Sequence, residues 1–108
     1  MLTITNAFSI NMIAHHVDAN VSFKRITTER VRDLVNASRP VVGRCGHKDI
    51  ATLVNKKLKA DIAHERVDTK LEYNDLLIVA QYRGPRLPEG ATELPKDAVI
   101  EWYEVLIV

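Results

Sequence analysis

A single cysteine, Cys45, stands in 108 residues, and a lone thiol cannot close an intramolecular disulfide. The chain was therefore not built around an oxidising compartment. No apolar run reaches the roughly 18 residues that a membrane span needs, and the N-terminus lacks a basic region with an apolar stretch and cleavage site. A soluble, cytoplasmic protein with no membrane partner is expected. Neither sign of charge dominates: 15 Lys and Arg stand against 14 Asp and Glu, a net charge of +1. Proteins that grip duplex nucleic acid neutralise many phosphates and are visibly basic, so no duplex partner is expected. A small anion held by two or three placed cations is still allowed. Repeats, low-complexity tracts and Ser/Gly linkers are also missing, so residues 1–108 read as a single domain. With 46% hydrophobic and 27% charged residues the chain can fold around a modest core, and dimerisation would bury more apolar surface.

Periodicity places the elements. Leu2-Thr3-Ile4-Thr5 alternates and reads as a short opening strand. Asn6 or Ser9 can cap a short helix over the following residues, because their side-chain oxygens accept unpaired backbone N–H groups. Val21–Ile26 reads as a second strand or edge hairpin arm. Thr27 and Thr28 then offer N-caps to a helix running to about Ser38, with Glu29 in the acidic first turn and Val31, Leu34 and Val35 as its stripe. Arg39-Pro40 ends it, since proline disfavours the α region in the residue before it. Val41-Val42 reads as a brief strand, and a second helix is expected from about His47 to Lys59. Val67, Thr69 and Leu71 alternate and predict a strand. Asp75–Tyr82 is an apolar, β-branched run of the kind buried on both faces. Arg83–Lys96 holds three prolines and two glycines and is a long loop, a length usual for functional segments. Ile100–Val108 closes as a strand. The expected fold class is α/β, a single mixed β-sheet flanked by two main helices.

The segment most informative about chemistry is Val41-Val42-Gly43-Arg44-Cys45-Gly46-His47. A strand, a glycine turn and a helix start bring free N–H groups and the positive helix end together, which suits an anion. Pattern alone leaves two readings open, a plain glycine turn entering a helix or an anion site. It is not a Walker loop, because Lys-Ser/Thr after the glycine is missing. A histidine at the helix start is disfavoured as imidazolium, and the neutral ring suits taking a proton, so His47 is the leading chemical candidate. Its alternative is an exposed polar residue in a first turn. His15 and His16 would point to opposite faces of a strand with no zinc spacing around them, and His64 reads as a solvated residue after a helix. No metal site is expected. Arg83 and Arg86 flank a proline and can form a phosphate clamp, in a loop expected to act as a mobile lid carrying Glu89. Cys45 reads as a small residue in a turn.

Asn6-Ala7-Phe8-Ser9-Ile10-Asn11-Met12, then Gly46-His47 opening a helix, then Arg86-Leu87-Pro88-Glu89-Gly90 occur in this order along the chain. In order and spacing these strings resemble the viral anti-CRISPR ring nuclease family, whose members also occur in prophages and beside type III CRISPR systems. The resemblance covers nearly the whole chain. It implies a homodimer that binds cyclic tetra-adenylate across its two-fold axis and cleaves it without metal or other cofactor. By that matching His47 is the catalytic histidine and Glu89 the supporting acid. Asn6, Ser9, Asn11, Arg66, Gln81 and Arg86 fall where the family contacts its ligand. The family tends to carry small hydroxyl residues two and three places after the histidine, where this chain has Asp49 and Ile50. An acid beside a polyanion is unfavourable unless it points away. A function from a different class, a non-catalytic dimeric module that holds a nucleotide or partner, is the alternative. A small DNA-binding regulator is disfavoured by the charge and by the absence of a helix-turn-helix pair.

Overall fold

A computed structural model describes residues 2–14, 18–38 and 40–108. His15 and His16, and the Arg39 half of the Arg39-Pro40 break, lie outside the described residues. Five strands form one mixed sheet in the order β2-β5-β4-β1-β3. Along the chain these are β1 Leu2–Thr5, β2 Val21–Ile26, β3 Val41–Gly43, β4 Leu76–Arg83 and β5 Val99–Ile107, with helices α1 Thr28–Ala37 and α2 Lys48–Leu58. The α/β expectation holds. β1 pairs in parallel with both β3 and β4, while β5 runs antiparallel to β4 and to β2. α1 therefore crosses from one edge of the sheet to the other, and α2 returns the chain from the β3 edge to the centre.

Each element has a local cause. Thr27 caps α1, its hydroxyl accepting the Arg30 N–H at 3.1 Å, and Val31 and Val35 turn inward one helical turn apart. The four residues Leu77–Ala80 of β4 are all buried, as a strand flanked by neighbours and covered on both faces requires. One face, carrying Leu2, Ile4, Ile78, Ala80 and Trp102, packs against Val31, Val35, Val54 and Leu58 of the helices. Trp102 is buried there with its indole N–H donated to Thr28 Oγ1 at 2.9 Å, so its polar edge is satisfied. The other face, with Leu77, Val79, Val105 and Ile107, is covered by Ala14, Leu71 and the partly buried Phe8, Met12 and Ile13. Fully burying side chains of this kind contributes about 1.5–3 kcal/mol each.

The strand expected at Val67–Leu71 does not form. Every position beside β4 is already occupied, and the segment instead crosses the second face of the sheet. Leu71 is buried and bridges to Ile13, exchanging hydrogen bonds with Met12 O and the Ala14 N–H, while Val67 is exposed. The alternation reflects one-sided packing of an irregular segment. Ser9, not Asn6, caps the short 3-10 turn Ile10–Met12. Among the described residues no helix is long and apolar enough to cross a membrane.

Candidate functional site

Parallel pairing of β1, β3 and β4 brings their carboxyl ends to one edge of the domain, where open α/β sheets present their ligand crevices. Asn6 follows β1, Arg44–His47 follow β3, and Gln81–Arg86 end β4 and start the loop. The turn after β3 is held from three sides. Arg44 N–H donates to Ile4 O at 2.7 Å, Gly46 N–H to Asn6 Oδ1 at 3.1 Å, and Cys45 N–H to His64 Nδ1 at 3.2 Å. His47 is the N-cap of α2: its backbone is extended and Nδ1 accepts the Ile50 N–H at 3.3 Å. A nitrogen that accepts an N–H carries no proton, so the neutral ring holds its hydrogen on Nε2. The expected helix start is therefore present, and the imidazole itself builds it.

Segment 62–66 lies against this turn and positions two more groups. Asn55 on α2 pins it, accepting the Ile62 N–H and donating to Ile62 O, and Glu65 N–H donates to Gly43 O at 3.1 Å. Arg66 is thereby laid over Gly46: a Cβ there would meet Arg66 Cγ at 3.4 Å. Cys45, Gly46, Lys48, Thr52, His64 and Arg66 border a cleft of about 320 Å3. Cys45 is buried and its thiol is pushed up to about 12 by desolvation, so it stays a thiol and not a nucleophile.

His64 departs from its sequence reading. It is half-buried rather than solvated, because the bridge to Gly43 draws it inward. Nε2 is buried without a hydrogen-bond partner among the described residues. Desolvation holds its pKa below the ordinary histidine value. The unfolded ring protonates near pH 6.5, the folded ring only at lower pH. Its contribution to stability is thus complete above about pH 6.5 and is lost as pH falls towards the folded value. Denaturant midpoints of the wild type are expected to drop more steeply between pH 7.5 and 5.5 than those of His64→Asn, whose Oδ1 can still accept the Cys45 N–H. Identical slopes would exclude His64 as the titrating group.

The remaining predicted residues fall around this turn or apart from it. Glu89 and Arg86 are exposed in the loop after β4, without hydrogen bond or ion pair among the described residues. The loop itself is tied to α2, because Gly90 N–H donates to Asp49 Oδ2 at 3.2 Å. Arg83 does not join Arg86 in a phosphate clamp. Its guanidinium pairs with Glu101 on β5, which also binds Arg25 at 3.0 Å, so β-sheet register directs it to a neighbouring strand. Arg25 also donates to Tyr103 Oη at 3.0 Å, and this hydrogen bond lowers the phenol pKa. Gln81 borders a different depression on the second sheet face, about 280 Å3 lined by Phe8, Phe23, Val79 and Tyr103. Ser9 and Asn11 edge a third, of about 250 Å3, with Asp68 and Lys70. Asn6, His47 and Arg66 thus gather at one turn with the Glu89 loop anchored beside them. Ser9, Asn11 and Gln81 do not line the same cleft. Among the described residues no three His, Cys, Asp or Glu side chains group as cation ligands. His64 and Asp49 are additions that spacing could not show, since their partners are remote in sequence.

Fold and site define a small single-sheet α/β protein whose polar turn, at the carboxyl ends of parallel strands, opens a histidine-capped helix. The chain belongs to the STIV B116-like family, whose model matches residues 2–102. Its fold is similar to that of B116 of Sulfolobus turreted icosahedral virus, with a TM-score of 0.77 at 22% identity over 97% of each chain. No curated protein sequence matches it.

Proposed function

We propose that the protein is a ring nuclease: a metal-independent phosphodiesterase of the cytoplasm that opens cyclic tetra-adenylate into linear di-adenylates, switching off type III CRISPR effector signalling. One observation carries this reading. The capped His47, the Asn6–Gly46 tie, Arg66 and the tethered Glu89 loop converge at the carboxyl ends of β1 and β3. Membership of a family named for a viral protein fits the viral setting of the resembled nucleases.

Ribose supplies its own nucleophile, the 2′-hydroxyl. Cleavage needs that oxygen in line with phosphorus and the leaving 5′-oxygen, two proton transfers and stabilisation of the charged phosphorane. With Nδ1 engaged by the Ile50 N–H, the free ring atom of His47 is the Nε2–H donor, suited to a phosphate oxygen or the 5′-oxygen. Taking the 2′-hydroxyl proton at Nδ1 requires the ring to release its cap. Once Nδ1 has taken that proton, the imidazolium gives its Nε2 proton to the leaving 5′-oxygen, while Arg66 and Arg86 neutralise charge and Glu89 orients the leaving group. The products are di-adenylates formed through a 2′,3′-cyclic phosphate, two cuts from one ring. Two protomers share that ring. Support for the dimer comes from the second sheet face, where Phe23 is 55% exposed beside the Gln81 groove and a second copy would cover it.

The test is incubation with labelled cyclic tetra-adenylate in excess EDTA, with light scattering on the same sample. Shorter products over many turnovers from a dimer are expected. Binding without turnover would instead make the protein a non-catalytic nucleotide-binding module, and a fully active monomer would remove the shared site. Glu89→Gln is expected to slow cleavage about 10²-fold with little change in affinity. Arg86→Ala should weaken binding with a shallower salt dependence, because a phosphate contact is gone. Equal losses of binding in both, with unchanged single-turnover cleavage at saturation, would remove Glu89 from the chemistry.

A further inference from the structure

We propose that Asp49 is a positioning residue: its carboxylate holds the Glu89–Gly90 peptide against the first turn of α2 and so sets where Glu89 stands relative to His47. The catalytic consequence rests on the ring-nuclease reading, but the placement does not. Pro88 to Ala91 form a turn closed by the Ala91 N–H on Pro88 O at 3.1 Å. Gly90 occupies its third position at φ 76, the left-handed conformation that a type II turn demands there. Among the described residues, its chain neighbours aside, nothing lies within 4 Å of where a Gly90 Cβ would sit, so the glycine answers a backbone requirement and not a shortage of space. In this geometry the peptide N–H between Glu89 and Gly90 faces outward, and Asp49 Oδ2 takes it at 3.2 Å. The Cα of Glu89 is two covalent bonds from that nitrogen, and Asp49 is two residues from His47. One hydrogen bond thus joins the backbone of the acid to the helix turn that His47 caps.

A second attachment keeps the rest of the loop in line. Lys56, two helical turns further along the same face of α2, donates to Thr92 O and to Glu93 Oε1, both at 3.2 Å. That ion pair is exposed and weak, and it lies beyond Glu89, so it fixes the course of the loop and not the place of the acid. Engagement with Gly90 also turns one oxygen of this acid, Oδ2, to the loop.

An acid in a first helical turn also favours the helix dipole, and the test separates the two roles. Asp49→Asn keeps an acceptor for the Gly90 N–H but loses the charge; Asp49→Ala loses both. For a positioning residue, Asp49→Ala is expected to lower kcat about 10-fold with KM little changed, and Asp49→Asn to restore kcat. In a Glu89→Gln background Asp49→Ala should add no further loss, since it acts through that side chain. Amide exchange of the Gly90 peptide, read without substrate, should accelerate in Asp49→Ala and stay slow in Asp49→Asn. Equal kcat in wild type and Asp49→Ala, or additive losses with Glu89→Gln, would overturn the positioning role while leaving the nuclease reading standing. A wild type without turnover would end the nuclease reading, and the exchange experiment would still decide the tether: unchanged exchange in Asp49→Ala would overturn it.

Discussion

His47→Asn is expected to leave a stably folded protein whose ring cleavage falls by roughly 10²–10⁴-fold, the usual worth of general acid–base help. The choice of asparagine follows from the cap. His47 holds the N-cap position of α2 with Nδ1 on the Ile50 N–H, so the ring has a structural task as well as the chemical one proposed for it. Asparagine is among the preferred N-cap residues and its Oδ1 can take the same N–H, whereas alanine forfeits the cap at about 0.5–2 kcal/mol. His47→Ala should therefore lose both melting temperature and cleavage. His47→Asn should lose cleavage alone, with the proposed ligand binding and dimer retained in each because the N–H groups of the helix start remain. Thermal denaturation, binding and turnover measured on the pair separate the two tasks. Wild-type turnover in His47→Asn would reduce His47 to a helix cap.

Hydrophobic period and cap chemistry were enough to place most of the sheet and both helices. β2, α1 and β4 announce themselves through Val21–Ile26, Thr27 with Val31 and Val35, and the apolar run before Tyr82, because each pattern is written in consecutive residues. Val67–Leu71 shows the limit. Alternation reports that one side of a segment is buried, and Leu71 satisfies this by packing across the sheet without joining it. The site divides in the same way. The glycine turn and His47 were legible because strand, turn and helix start are contiguous. His64 on the Cys45 N–H and Asp49 on the Gly90 N–H join residues 19 and 41 positions apart, and such pairs leave no periodic trace. The partner of Arg83 is hidden for a related reason: strand register, which sets Gln81 opposite Glu101 on β5, brings Arg83 to Glu101, a pairing that loop composition does not reveal.

Gly43→Ala is expected to be the most destabilising single-methyl change in the turn, on the order of 2–5 kcal/mol from overpacking together with a lost buried hydrogen bond. Gly43 ends β3, is buried, and pairs with Ile4 of β1. A Cβ there would come within 2.4 Å of Ala63 O and 2.6 Å of His64 Nδ1. The first of these is backbone, pinned through Asn55 and through Glu65 N–H on Gly43 O, so neither side can yield cheaply. Displacing segment 63–65 strains that bond and the Cys45 N–H on His64, which leaves a backbone donor unpaired beside the turn that presents His47. Gly46→Ala supplies the control three residues away. Among the described residues the three atoms nearest its Cβ would all be Arg66 side-chain atoms, the closest at 3.4 Å, an ordinary contact with a long side chain that can shift. Melting temperature should fall by about 10 °C or more in Gly43→Ala and change little in Gly46→Ala. Equal melting of Gly43→Ala and wild type would mean that segment 63–65 is not held against β3, and with it would fall the role of His64 in shaping the turn.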